Sequence, residues 1–123
     1  MGYEVRVSVH DRYLRIEASG SRNIEDSQDL FRRIAEESAK HELYDILLVL
    51  ELEGRLPTFK IEDMVASHEK VGFDSRHRIA AVDENEESVP DLRFAEDVAT
   101  VRGLCGAVFE NEEDAVRWLG TGS

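Results

Sequence analysis

The chain has 123 residues, 34% of them charged, with 27 acidic against 15 basic residues and a net charge of −12. This length fits one domain that buries roughly two-thirds of the surface its unfolded chain exposes. The charge excludes nucleic acid and anionic membrane surfaces as main partners, and no apolar stretch approaches the ~20 residues of a membrane span.

The N-terminus has no apolar signal core and reads as the start of a strand. Residues 3–9 alternate apolar and polar with period two, as a half-buried strand does. His10, Asp11 and Arg12 make a turn, and residues 13–19 continue as a second strand, so the two form an antiparallel hairpin. A long helix is predicted from about Ile24 to His41, with Asn23 and Asp26 as reciprocal caps. Its apolar stripe is Ile24, Leu30, Phe31, Ile34 and Ala35, with Ser27 and Ser38 on the same face. Next comes Asp45 to Leu52, which contains the unbroken aliphatic run Ile46 to Leu50. Such a run marks a strand covered on both faces. A second helix is predicted from about Thr58 to Val71, with the stripe Ile61, Met64, Val65, His68 and Val71.

After a turn at Gly72 to Ser75, residues 78–82 form another apolar strand, followed by an acidic loop. Ser88 caps a third helix that tolerates Pro90 in its first turn and ends near Gly103. Leu92, Phe94, Ala95, Val98 and Val101 supply its apolar surface. Leu104 to Phe109 is the last strand, and residues 111–119 are a short helix capped by Asn111. Cys105, the single cysteine, lies in that last strand as a small buried hydrophobe; it permits no internal disulfide and fits a reducing cytoplasm.

The fold class is therefore α/β, in the order ββαβαβαβα. The expected sheet is mixed and five-stranded, with an antiparallel edge hairpin, parallel strands beyond it and helices packed on it. Residues 1–119 form one domain and residues 120–123 a flexible tail.

Four stretches carry a family resemblance: Leu14 to Gly20, Asp45 to Leu50, His77 to Val82, and Val108 to Leu119. In them the chain resembles STAS domains, the sulphate-transporter and anti-sigma-factor-antagonist fold. It is most similar to the bacterial stage-two-sporulation anti-anti-sigma-factor-like family of small stand-alone proteins. The resemblance covers nearly the whole chain, but its motifs are packing motifs. In anti-sigma-factor antagonists the loop after the central strand carries an Asp-Ser-Ser-Gly-like motif whose serine is phosphorylated. Here residues 51–59 lack that motif, and Thr58 is the one hydroxyl near the right place. The resemblance thus implies either a regulatory phosphorylation at Thr58 or no phospho-switch, with Thr58 a plain helix cap. It also implies a bacterial, cytoplasmic setting.

No nucleophile elbow, phosphate-cradling glycine motif or metal cluster appears. His68, Asp74 and His77 fit no established metal spacing, and no cofactor is expected. Glu51 and Glu53, at the end of the central strand, are the carboxylates placed nearest a cleft. The candidate site is instead apolar: Leu56 and Phe59 around Pro57, Met64 and His68 on the second helix, Phe73 after it, and Phe94 from the third. These residues also read as plain helix-sheet core or as a homodimer patch. The expected function is a non-enzymatic binding or regulatory module. It holds an apolar, lipid-like molecule or a protein partner at the loop and helix after the central strand. The alternative is a partner switch of the anti-sigma type.

Overall fold

The computed structural model describes residues 3–10, 12–21, 24–53, 58–70, 72, 73, 76–83, 85, 87 and 89–120; side chains 3, 21, 24, 25, 27, 53, 58–60 and 67–69 lie outside the description. Its elements are β1 (Tyr3–Val9), β2 (Leu14–Ser21), α1 (Ile24–His41), β3 (Asp45–Glu53), α2 (Thr58–Lys70), β4 (Arg78–Asp83), α3 (Val89–Val101), β5 (Cys105–Phe109) and α4 (Glu112–Gly120). The five strands form one sheet in the order β1-β2-β3-β4-β5. β1 is antiparallel to β2, and every later pair is parallel. Element order and sheet type are those predicted from the sequence.

Each crossover from β2 to β5 steps one strand in the same direction. Right-handed connections then put α1, α2 and α3 on one face of the sheet. The burial pattern agrees. Leu14, Ile16 and Ala18 of β2 and Ile46, Leu48 and Leu50 of β3 bury against Leu30 and Ile34 of α1. The alternate residues of β3, Leu47 and Val49, bury on the opposite face with Ala80 and Val82 of β4 and with Ala115 and Leu119 of α4. The aliphatic run of β3 is thus covered on both sides, which is why it lacks alternation. On α2, Ile61, Met64 and Val65 pack against Ala95, Val98 and Ala99 of α3.

The helix ends follow local chemistry. The Leu104 N–H reaches the Ala99 carbonyl and the Gly103 N–H reaches that of Thr100, with Gly103 at φ 82°. That is a Schellman end, and Gly103 supplies its left-handed residue. α1 ends similarly, with the Leu43 N–H on the Ser38 carbonyl, but the left-handed residue is Glu42 at φ 55°. The buried Ser38 hydroxyl donates to the Leu43 carbonyl, which fixes this turn from inside. At the start of α4 the Asn111 side-chain oxygen accepts from the Asp114 N–H at 2.8 Å, a helix cap.

Two arginines fasten α4 to its face of the sheet. Arg15 of β2 makes a two-pronged ion pair with Glu112, both bonds 3.0 Å long. The hydrogen bond to that carboxylate raises the Arg15 pKa above its already high ordinary value. Arg78, the first residue of β4, donates to the carbonyls of Leu119 (3.0 Å) and Trp118 (2.9 Å). Its guanidinium also lies 4.6 Å from the centre of the Trp118 ring. One planar fork therefore satisfies the orphan carbonyls at the end of α4 and complements the negative end of its dipole. Replacing Arg78 with Ala should cost about 2 to 3 kcal/mol, and Arg78→Lys about half of that, because Lys keeps the charge but not the fork. Denaturant unfolding gives the size, and Trp118, the single tryptophan, reports α4 loosening by its fluorescence. Unchanged stability in Arg78→Ala would show that α4 is held by its apolar contacts alone.

Candidate functional site

Between the sheet and the α1–α3 layer lies a cavity of about 110 Å³. Leu48, Leu50 and Leu52 of β3 and Ile79 and Ala81 of β4 form its floor, which continues onto Gly106 and Val108 of β5. Leu30 and Phe31 of α1, Met64 and Val65 of α2, and Leu92, Ala95 and Ala99 of α3 form its roof. Its polar lining includes His77 and Glu96.

The void follows from side-chain size. β2 and β3 present large aliphatics to α1, and that region is closely filled. Toward β4 and β5 the floor shrinks to Ala81 and Gly106, and the roof shrinks with it to Ala95 and Ala99, one helical turn apart on α3. Small residues on both layers leave space between them. Among the described residues, a Cβ added at Gly106 would find only the Ile79 carbonyl oxygen in contact range, at 3.7 Å.

An aromatic chain stands at one end of the cavity. Phe31 meets Phe73 edge-on at 5.7 Å, Phe73 meets His77 at 4.7 Å, and His77 meets Tyr44 edge-on at 5.2 Å. Arg76 lies over the outer ring, 4.9 Å from the centre of Tyr44. His77 itself is buried. At the opposite, carboxyl edge of the strands, the Asn85 side chain donates to the Leu52 carbonyl and its N–H donates to the buried Asp83 carboxylate. This bridges the ends of β3 and β4.

Of the residues predicted from the sequence, Met64 and Phe73 line the cavity. Phe94 does not: it is 36% exposed, while Leu92, Ala95 and Ala99 turn the other face of α3 inward. Leu56 and the side chains of Thr58, Phe59 and His68 lie outside the described residues, although Thr58 is the first residue of α2. Val101 is 87% exposed at the end of α3. Cys105 is only partly buried, because β5 is an edge strand. Glu51 is exposed, and Asp74 and the side chains of Glu53 and His68 are not described. Among the described residues, no group of three or more His, Cys, Asp and Glu side chains could hold a metal ion. Nor, among them, is any helix long and apolar enough to cross a membrane.

The cavity lies beneath the helices, and residues 54–57, where the sequence places the cleft, lie outside the described residues. In open α/β sheets a crevice opens at the carboxyl edge where consecutive crossovers pass to opposite faces. Here β2 to β5 follow one another without reversal. Among these strands there is no switch point, and the cavity lies beneath the helices. Phe31, His77, Ala81 and Ala99 line the space as well; the sequence signal for the last two is the small residues of Ala80-Ala81, Gly106-Ala107 and Ala95/Ala99. A wider hollow of about 490 Å³ lies beside the β1–β2 turn and α4, with Arg12, Asp45 and Tyr13 among its lining. Neither Met64 nor Phe73 lines it.

No family model matches the sequence, and no curated protein matches it significantly. Solved structures do match. An anti-sigma factor antagonist from Mycobacterium paratuberculosis superposes with a TM-score of 0.64 over 97% of this chain and 95% of its own, at 12% identity. The anti-sigma factor antagonist SpoIIAA, in its unphosphorylated form, matches over 97% of each chain with a TM-score of 0.50 at 15% identity. The chain has a STAS-like fold. The protein TM1081 matches over 93% of this chain and 86% of its own, with a TM-score of 0.50 at 17% identity. At these identities the likeness is one of architecture, and the STAS-like fold does not carry an activity with it.

The cavity should accept added hydrocarbon. Ala81→Leu, pointing three more carbons into it, should raise unfolding stability by about 0.5 to 2 kcal/mol. Denaturant melts of wild type and variant measure this. A loss of stability, as overpacking produces, would mean that the space is not available to a side chain.

Proposed function

We propose that this chain is a regulatory binding module whose ligand is a small apolar molecule held between the sheet and the α1–α3 layer. The cavity carries this reading: it lies between two layers of the fold and is lined mostly by hydrocarbon. At about 110 Å³ it is slightly smaller than an engineered apolar cavity of about 150 Å³ that stays dry and binds benzene. The proposed ligand is therefore no larger than a single ring or a short alkyl chain, since a long fatty chain requires α2 to move outward. Met64 and Phe73 line the space, and Leu56, Phe59 and His68 belong to the same proposal as residues on or before α2. A bacterial cytoplasm goes with this reading.

The test titrates purified protein with benzene, hexanoate and palmitate, following the melting temperature. The first two should stabilise it in proportion to ln(1 + [L]/Kd), and Ala81→Leu should abolish the response. Absence of any shift with all three probes would overturn the ligand reading.

A second reading is a protein-partner switch. The near-complete overlap with two anti-sigma factor antagonists favours it. Thr58 at the start of α2 would carry the regulatory phosphate, where the helix dipole favours negative charge. Intact mass of the protein from its native cells should then show a phosphorylated fraction. Pull-downs with Thr58→Ala and Thr58→Glu should differ in one identified partner. An unmodified Thr58 with identical pull-downs retires this reading.

A further inference from the structure

The outer edge of β1 raises a separate question, independent of the cavity. The His10 N–H bonds the Tyr13 carbonyl, and the register from Tyr3↔Gly20 to Val9↔Leu14 runs without a bulge. Hydrogen-bonded pairs alternate along an antiparallel ladder. Glu4, Arg6 and Ser8 therefore turn their backbone groups toward β2. Tyr3, Val5, Val7 and Val9 turn theirs outward, and β1 ends the sheet. Edge strands are usually guarded by Pro, Lys or bulges. The sequence YEVRVSV contains no Pro or Lys, and Val7 and Val9 are 39% and 53% exposed.

The charges on this strand select a partner. When two copies of β1 pair antiparallel about a two-fold axis at Val5, Glu4 of each copy faces Arg6 of the other. Tyr3 with Val7, and Val5 with Val5 of the other copy, whose backbone groups all point outward, then form the hydrogen-bonded pairs. Moving the axis to Arg6 sets that arginine against itself, and moving it to Glu4 does the same with the carboxylate. Moving it to Val7 sets Arg6 against Ser8. One register alone pairs both charges, and opposite charges across a non-hydrogen-bonded pair are the favourable arrangement. Glu4 is exposed, and the Arg6 side chain is 80% exposed with one long contact, 3.9 Å, to Glu17 of β2. Both are thus accessible. The polar row of Glu4, Arg6 and Ser8 also lies on the sheet face where α4 covers Leu47, Val49, Ala80 and Val82 instead. The other edge strand, CGAVF, has no charge to set a register.

We infer that β1 is a self-association edge: two copies join through antiparallel β1 strands centred on Val5, making one sheet of ten strands, five from each copy. The interface is small, and each copy carries −12, so the dimer is weak and needs physiological salt to screen the mutual repulsion. Sedimentation velocity over a concentration series tests it, with circular dichroism confirming that each variant is folded. Wild type should show reversible dimerisation. Glu4→Arg and Arg6→Glu each create two like-charge pairs, and each should weaken dimerisation by ~tenfold or more. The double variant Glu4→Arg/Arg6→Glu should regain it. Mixing the two single variants should give a heterodimer tighter than either homodimer, because one strand then carries only positive charge at positions 4 and 6 and the strand facing it only negative charge. A wild type that stays monomeric at every concentration overturns the proposal. So does a dimer indifferent to these charges, since it uses another surface. If one single variant does not fold, Glu4→Gln and Arg6→Gln replace the reversals: weakening in both supports the register, and no change in either overturns it.

Discussion

Three right-handed crossovers that all step the same way across a sheet leave no freedom in where their helices go. This constraint governs the molecule. α1, α2 and α3 crowd one face, and a single short helix is left for the other. The crowded face has to accommodate three helices over strands of unequal bulk. The sparse face has to fix one nine-residue helix with little apolar area.

The sparse face solves its problem with arginine. A helix as short as α4 is marginal alone, since its propagation hardly repays the cost of nucleation. Its ends are held instead: Arg15 grips Glu112 at the start, and Arg78 grips the Leu119 and Trp118 carbonyls at the finish. Ala115 and Leu119 then need to fill only the gap between. Exposed ion pairs contribute little to stability, but a planar guanidinium that satisfies orphan carbonyls and stacks on an indole contributes through geometry as well as charge.

The crowded face solves its problem incompletely. Large side chains on β2 and β3 match α1, whereas the alanines and glycine of β4, β5 and α3 do not fill the space that α2 spans. The fold thereby obtains an apolar interior space without a catalytic grouping described beside it. Sequence reading reached part of this. The apolar stripe of α2 picks out Met64, and Phe73 follows that helix as a further apolar residue of the candidate site. Phe94 and Val101 belong to the apolar surface of α3 by hydrophobicity, and both are exposed. Helical spacing shows which residues share a face but not which face meets the sheet. His77 fits no metal spacing in the sequence, and its place within an aromatic chain from Phe31 to Tyr44 joins residues far apart in sequence.

The sequence by itself determined the element order, the strand that is covered twice, the hairpin at the edge and the turn chemistry at Gly103 and Asn111. Those are local properties, set by periodicity, backbone preference and capping within a few residues. Only the tertiary structure decided where the interior space lies and which side of α3 lines it. These depend on how side-chain volumes from α1, α2, α3 and three strands add up across layers, and close packing is a sum over neighbours that no single segment contains.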